Sequence, residues 1–143
     1  MPAKDLKTLE RRFLTEWNKG KAAAMTVIDE LCAANMVFHH GTGEDIRGLK
    51  AFKQYFSGFF DAFPDNHITL DDIVVEGDKA VIRYTVIGTH KGEFMGIHPT
   101  NKKVSLSVIE IDRFAGGKVA EAWDAFDTLG FMQQLGVIPT PKK

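Results

Sequence analysis

The chain has 143 residues, of which 44% are hydrophobic and 26% charged, and these values are typical of one soluble globular domain over residues 1–143. Its net charge of −1 comes from evenly mixed acidic and basic residues, which disfavours nucleic acids and anionic membranes as partners. We therefore expect the partner to be a small molecule or another protein.

Cysteine content and hydropathy exclude further classes of protein. With a single cysteine, Cys32, the chain cannot form an internal disulfide or a cysteine-rich zinc site. No stretch approaches the ~20 apolar residues of a membrane helix, and the charged start of the sequence does not resemble a secretory signal. These features predict a cytoplasmic protein that does not enter a membrane.

Apolar residues recur every three or four positions in the first half of the chain, which predicts helices. The pattern indicates one helix after Asp5, a shorter helix over residues 21–31 and a third over residues 49–63. The third helix carries a stripe of phenylalanines. Such a stripe is more often core packing than ligand contact, but it makes Phe56 and Phe60 candidates for the wall of a pocket.

The second half of the chain has the composition and turn spacing of β-strands. Strands are predicted over residues 36–40, 67–76, 80–90, 103–114 and 119–127, followed by a helical turn over residues 128–135. Gly116 and Gly117 predict a tight hairpin, because glycine accepts the positive φ of a primed turn. Helices followed by hairpin-connected strands indicate an α+β domain with the helices on one face of an antiparallel sheet.

The last predicted strand contains a carboxylate in an apolar run. Side chains alternate along a strand, so Asp124 shares a face with Ala122 and Phe126. A carboxylate in such surroundings either has a partner or has its pKa raised by loss of hydration, which suits a general acid or base. A simple capping or paired aspartate explains the pattern equally well.

The predicted hairpin fixes which residues face Asp124 from the preceding strand. Continuous pairing from the turn places Ile109 opposite Asp124 and Ser107 opposite Phe126. This face would be apolar with one hydroxyl and one carboxylate, which is the usual composition of a small-molecule pocket. Glu110, on the other face, is expected to be solvated or to lie in an interface.

Several segments resemble the SnoaL-like polyketide cyclase (ester cyclase) family. They are Phe63-Pro64-Asp65, Gly88-Thr89-His90 and residues 94–100, 123–124, 127–130 and 133–137, in the order and spacing of that family. The resemblance implies the cone-shaped α+β barrel shared with nuclear transport factor 2 and ketosteroid isomerase. In that fold a curved antiparallel sheet and N-terminal helices enclose an apolar pocket. The resemblance also implies a homodimer and the absence of any cofactor or metal.

The strand motif of these cyclases reads His-Trp-Asp, and its aspartate is the acid/base of an aldol ring closure. Here the motif reads Ala122-Trp123-Asp124. The resemblance therefore implies that Asp124 is catalytic. Trp123, in the same motif, and Phe126, on the same face as Asp124, are candidates for contact with the ligand. The alanine leaves a hydrogen-bond donor to be supplied by another residue.

Histidines are the first candidates for this donor. His90 follows a predicted strand, where it is either a neutral donor to the pocket and a second catalytic residue or a surface histidine. His39 and His40 are adjacent on a strand, so only one of them faces the pocket and binds the ligand. Ser107 is the remaining candidate. The spacing of these residues does not fit a metal motif such as His-Glu-x-x-His.

Residues 91–102 form a predicted loop with more apolar surface than an idle loop exposes, including Phe94 and Met95. We expect it to serve as a lid over the pocket or as part of a dimer interface. Two functions remain open. The first is a cofactor-free enzyme of the cyclase, isomerase or hydrolase type, in which Asp124 acts on a small hydrophobic carbonyl compound. The second is a non-catalytic module of the same fold that binds a hydrophobic ligand or a partner.

Overall fold

The computed structural model describes residues 2–141, which form four helices and six strands. In chain order the elements are α1 (Ala3–Trp17), α2 (Lys21–Leu31), β1 (Cys32–His39), β2 (Asp45–Arg47), α3 (Leu49–Ala62), β3 (His67–Glu76), β4 (Lys79–Thr89), β5 (Lys103–Ala115), β6 (Lys118–Phe126) and α4 (Thr128–Gln134). The predicted helices and long strands are confirmed within a few residues. The prediction missed β2, because three residues are too few to show a period.

The six strands form one sheet in the order β2-β1-β6-β5-β4-β3. The predicted α+β class is confirmed. The prediction of a purely antiparallel sheet was wrong at one pair, because β1 runs parallel to β6. This pairing is important for the function, since it brings the end of β1, near His39 and His40, beside the Trp123-Asp124 segment of β6.

Helix α1 lies on the sheet with one side buried. Its buried residues recur every three or four positions and are Leu6, Glu10, Leu14 and Trp17. Three of them are apolar, as expected for a stripe that faces a core. Glu10 is the exception, since it is only 4% exposed although it carries a carboxyl group.

The predicted register between β5 and β6 was wrong by one residue. Glu110, not Ile109, lies opposite Asp124, and Val108, not Ser107, lies opposite Phe126. Because side chains alternate along a strand, this single step moves every β5 side chain to the other face of the sheet. Ile109 is accordingly 52% exposed.

A β-bulge beside the hairpin causes the error. The turn itself was predicted correctly, since Gly116 and Gly117 both have positive φ, 59° and 79°. Ala115 pairs with Lys118 directly after it, but the register then shifts between Phe114 and Arg113. One extra residue on β6 at this point moves all later pairs by one position.

Two groups of buried apolar residues hold these elements together. The larger lies between α1, α2, α3 and the sheet. The smaller joins the end of α3 to β5 and α4 and contains Ala62, Phe63, Val104, Phe131 and Leu135. Between residues 2 and 141, no helix is both long enough and apolar enough to cross a membrane. The cytoplasmic location stays a prediction.

Candidate active site

A cavity of about 110 Å³ lies between the helices and the inner face of the sheet. Most of its lining is aromatic or aliphatic and includes Phe38, Phe52, Phe56 and Phe59. Its polar lining includes Glu10, His40, Thr42, Tyr55, Tyr84, Glu110, Asp112, Asp124 and Thr128. A largely apolar cavity with a few grouped polar side chains is the usual form of a small-molecule site.

Asp124 projects from β6 into this cavity, and only 5% of its side chain is exposed. Its carboxylate accepts hydrogen bonds from two N–H groups that follow strand β1. The backbone N–H of Gly41 lies 2.5 Å from Oδ1, and Nδ1 of His40 lies 3.0 Å from both oxygens. These two donors fix the orientation of the carboxylate inside the cavity.

The absence of a side chain at position 41 allows this close approach. A Cβ at Gly41 would lie 3.0 Å from the ring of Phe126 and 3.3 Å from Oδ1 of Asp124. The first distance is shorter than ordinary carbon contacts, so a larger residue would displace the ring or the carboxylate. Glycine is therefore part of the binding geometry of Asp124.

His40 links Asp124 to Tyr55 of α3. Its Nε2 lies 2.7 Å from the Tyr55 hydroxyl, and only 7% of its side chain is exposed. With Asp124 ionised, the Nδ1–H group of His40 donates a hydrogen bond to the carboxylate, while Nε2 accepts a hydrogen bond from the Tyr55 hydroxyl. Burial and the nearby charge of Asp124 raise the pKa of Tyr55, so the phenol keeps its proton. The result is a fixed chain from Tyr55 through His40 to Asp124.

A second polar group on the cavity lining was missed by sequence analysis. Glu110 and Asp112 project from β5, Tyr84 from β4 and Glu10 from α1. The Tyr84 hydroxyl donates to Oε1 of Glu110 at 3.1 Å. Side-chain hydrogen bonds join Glu110 to Asp112 and Asp112 to Glu10. We call these four residues the carboxyl chain.

Burial dominates the protonation of the carboxyl chain. It raises the pKa of Glu110 and of Asp112 well above the usual carboxyl range. It also raises the pKa of Glu10 to about 7, although the hydrogen bond to Asp112 partly opposes this. Among the described residues that line the cavity there is no lysine or arginine to offset the loss of hydration. Burial therefore favours the neutral, protonated form of both Glu110 and Asp112.

The chain is similar to known proteins over most of its length. Residues 7–135 match the family model of the SnoaL-like polyketide cyclases. The chain belongs to this family. A curated relative, the aklanonic acid methyl ester cyclase DauD of Streptomyces sp. (strain C5), is 28% identical over 139 residues, which cover 94% of this chain and 84% of that relative. The predicted family is thus confirmed.

Solved structures support the same fold for this SnoaL-like chain. AclR of Streptomyces galilaeus has a TM-score of 0.83 and 30% identity, with 99% of this chain and 86% of that chain covered. TsrD of Streptomyces laurentii has a TM-score of 0.84 and 30% identity, with 96% and 99% covered. The predicted cone-shaped α+β fold is confirmed, although the six strands do not close into a complete barrel.

Four of the predicted site residues of this SnoaL-like protein meet at the cavity: His40, Phe56, Asp124 and Phe126. Phe60 is buried in the same core but does not reach the lining. Of the two adjacent histidines, His40 reaches the cavity, because β1 pairs with β6 in parallel. Local sequence patterns do not show this pairing.

Four other candidates lie away from the cavity. Ser107 and Ile109 are exposed on the outer face of the sheet, because the bulge reverses the faces of β5. His39 and Trp123 also lie outside the cavity lining and stack on each other with ring centroids 5.3 Å apart. None of these four side chains lies where it would contact a ligand of Asp124.

His90 is fully buried but does not line the cavity. Its ring stacks on Phe63, and its Nδ1 accepts the backbone N–H of Thr100 at 3.2 Å. The backbone of His90 also bonds to Asn101 and Lys102. These contacts join the two ends of the 91–102 loop and place His90 outside the lining of the cavity that holds Asp124.

The 91–102 loop itself reaches the cavity. Phe94 and Met95 are part of the lining. The ring of Phe94 packs against Tyr55 and Phe63 with centroids 6.4 and 5.5 Å apart. The loop is thus positioned at the rim of the cavity, as the lid alternative requires. In residues 2–141, no cluster of three or more His, Cys, Asp or Glu side chains is arranged to hold a metal ion.

Proposed function

We propose that the protein is a cofactor-independent enzyme of the cyclase type in which Asp124 is general base and then general acid on a small hydrophobic carbonyl compound. One observation carries the proposal. A carboxylate only 5% exposed in a largely apolar cavity accepts two N–H hydrogen bonds and, within residues 2–141, has no lysine or arginine partner. A base that is ionised but shielded from water is suited to removing a proton from carbon.

The proposed reaction begins at a carbon flanked by two carbonyl groups. Asp124 takes its proton, and the C–H electron pair becomes the double bond of an enolate. The enolate carbon then attacks another carbonyl of the same molecule, which forms a C–C bond and leaves an alkoxide. The alkoxide recovers the proton from Asp124, so the reaction is an isomerisation without a redox step or a second reactant.

His40 is the histidine in contact with the proposed base, since alanine stands at position 122. It holds Asp124 through Nδ1 and is itself fixed by Tyr55 at Nε2. We propose that His40 orients the carboxylate and limits its loss of hydration. This is the relation between a base and its orienting residue that acid/base catalysis requires.

The relatives support the substrate class. The relative DauD is by name a cyclase of aklanonic acid methyl ester, and family membership together with the apolar lining fits a polyketide-like ester. We therefore propose a β-dicarbonyl ester as substrate. The binding-module alternative remains the second candidate, because Ala122 replaces the histidine that the family motif leads us to expect.

Proton exchange gives a test that does not need the natural substrate. Small β-keto esters in D₂O exchange the proton between their carbonyl groups, and NMR measures the rate. The wild-type protein should accelerate this exchange, and Asp124→Asn should reduce the acceleration about 10²–10⁴-fold. Glu93→Gln, on an exposed part of the loop, is the control and should match wild type. Equal rates for Asp124→Asn and wild type would reject Asp124 as the base.

Ligand recovery distinguishes the binding module. If the protein only binds, mass spectrometry of the material extracted after long incubation should recover one unchanged compound. A mixture of substrate and product supports catalysis.

We also propose the homodimer that the resemblance implies. Ile87 and Ile109 are half-exposed on β4 and β5, and they would supply apolar contacts if the sheets of two copies packed together. Sedimentation equilibrium should give twice the chain mass, and a monomer at all concentrations would reject the dimer.

A further inference from the structure

The mechanism above uses one carboxyl group, but the cavity holds three more. Glu110 is the nearest of these to the proposed base by position, because it lies directly opposite Asp124 in the β5–β6 pair. Both side chains line the same cavity. Directly opposed residues of an antiparallel pair have Cβ atoms about 4.5–5.5 Å apart. One small ligand can therefore contact both carboxyl groups at once.

We propose, resting on the function proposed above, that Glu110 is a neutral acid whose O–H donates a hydrogen bond to the substrate oxygen that becomes the enolate. That oxygen is two bonds from the carbon that loses its proton, which fits the spacing of Glu110 and Asp124. As the C–H bond breaks, its electron pair forms the new C=C bond, and the π pair of the carbonyl group moves onto the oxygen. The proton goes to Asp124, and Glu110 keeps its own proton while stabilising the oxyanion.

The surroundings of the two carboxyl groups assign these opposite roles. Asp124 accepts hydrogen bonds from the N–H groups of Gly41 and His40, which favour its charged form. Glu110 accepts a hydrogen bond from the Tyr84 hydroxyl and makes a second hydrogen bond with the carboxyl group of Asp112. Burial raises the pKa of Glu110, whereas the bonds to Asp124 stabilise a negative charge. Two acids in one site with opposite preferences for a proton are the usual basis for dividing acid and base roles.

The carboxyl chain also sets the direction in which Glu110 donates. When Glu10 is protonated, it donates to Asp112, Asp112 donates to Glu110, and the proton of Glu110 is free for the ligand. When Glu10 is ionised, Asp112 must donate to Glu10 and Glu110 must donate to Asp112. The ligand then loses its donor. Glu10 is thus a positioning residue that acts through Asp112.

This reversal is expected near neutral pH, because burial raises the pKa of Glu10 to about 7. The titratable groups that line the cavity with Glu10 are Asp112 and Glu110 of β5, Tyr84 of β4, Cys32 of β1, Tyr55 of α3, Asp124 of β6 and, after β1, His40. Burial raises the pKa of the tyrosines and of Cys32, so these groups stay neutral while Glu10 titrates.

Binding of an oxyanion mimic tests the role of Glu110 without turnover. The probe is 2,4-dinitrophenolate, and the host is Asp124→Asn, in which the amide resembles the aspartate after it has taken the proton. Adding Glu110→Leu should weaken binding of the probe about tenfold or more, since a hydrogen bond to a charged group is lost. Adding Glu110→Gln, whose amide N–H donates, should keep the Kd within about threefold. Equal or tighter binding in the leucine variant would overturn the proposal.

The pH dependence tests the chain behind Glu110. In the Asp124→Asn host, binding of the probe should weaken as pH rises from about 6 to about 8.5, while the probe stays ionised throughout. Glu10→Gln should abolish this dependence, because its amide N–H always donates to Asp112. An identical pH dependence in both proteins would remove Glu10 from the chain.

Infrared spectroscopy keeps the proposal testable even if the leucine variant does not fold. The neutral carboxyl C=O band at neutral pH should lose intensity in Glu110→Gln, and an unchanged band would overturn the proposal. These binding and spectroscopic results do not depend on proton exchange by Asp124. Failure of the proposed reaction is therefore separable from failure of the donor role.

Discussion

Two adjacent histidines show how the two faces of the sheet differ. His39 and His40 each pair with a carboxylate of β6, since β1 runs beside it. On the outer face, His39 meets Glu121 at 2.7 Å, and the two side chains are 29% and 28% exposed. On the inner face, His40 meets Asp124 at 3.0 Å, and the exposed fractions are 7% and 5%.

The same pair of residue types therefore has two physical meanings. Water competes with the outer pair and salt screens it, so its contribution to stability is small. Water hardly reaches the inner pair, so its carboxylate depends on Gly41 and His40 for its hydrogen bonds. We expect substitutions on the inner face to change catalysis and pH response, and equivalent substitutions on the outer face to change little.

The largest expected effect is on the pH dependence of stability and comes from Glu10. Its pKa rises from 4.5 in the unfolded chain to about 7 in the folded protein. The folded state therefore binds the proton more tightly, and the free energy of unfolding falls as pH rises through this window. A shift of this size corresponds to about 3 kcal/mol.

Glu10→Gln removes this contribution. Urea denaturation measures the free energy of unfolding of both proteins. The difference, variant minus wild type, should therefore increase by about 3 kcal/mol as pH rises from about 4.5 to above 7. Glu16→Gln, on a less buried part of α1, is the control. A difference that does not vary with pH would show that Glu10 is not desolvated in solution.

The next effect compares the two histidines directly. His40→Phe keeps a ring in the cavity but removes the donor to Asp124, so proton exchange of the β-keto ester should slow about ten- to hundredfold. His39→Phe is the matched substitution on the outer face and should leave the rate within about twofold. NMR measures both rates. Equal losses in the two variants would contradict the distinction between the faces.

A smaller effect is expected at Gly41. Gly41→Ala places a Cβ 3.0 Å from Phe126, and forced repacking of this kind costs about 1–3 kcal/mol. Gly58→Ala is the control, because a Cβ there meets no atom within 4 Å and alanine favours the helix by about 1 kcal/mol. Urea denaturation should show opposite signs for the two variants. Destabilisation by Gly58→Ala would show that the effect is not specific to the contact.

Most of the fold was predictable, because helices α1 and α3 and the long strands have clear periods and well-marked turns. The face of the sheet on which each β5 side chain lies was not predictable. The hairpin at Gly116 and Gly117 was identified correctly, but the bulge lies beside it, where Phe114 pairs with Val119 and both side chains are buried. Local sequence does not reveal this bulge. Because the prediction did not include the extra residue of this bulge, it placed Glu110 on the wrong face of the sheet.

The candidate site was predictable in Asp124 and in its aromatic neighbours Phe56 and Phe126, but not in most of its other polar residues. Asp124 was identified because a carboxylate in an apolar strand is unusual at any register. Choosing His40 over His39 required the parallel pairing of β1 and β6, which joins segments about 85 residues apart. Glu10 had a local signal, a charge among the apolar positions of α1 between Leu6 and Leu14, which the sequence analysis did not use.

The smallest predicted effect lies on the outer face and concerns His39. Its pKa is raised by hydrogen bonds to Glu121 and then Asp45, and the pKa of Glu121 is lowered chiefly by His39. The raised histidine pKa adds stability that is complete below its ordinary value near 6.5 and is lost as pH rises through the folded value. The lowered carboxyl pKa adds stability above 4.5 that is lost as pH falls. His39→Gln should therefore destabilise most between these limits and least at a pH above the raised pKa of His39 or in high salt. Thermal unfolding checks this, with His98→Gln on the exposed loop as control. A loss that persists unchanged at high pH would mean that His39 acts through its stacking on Trp123 and not through its charge.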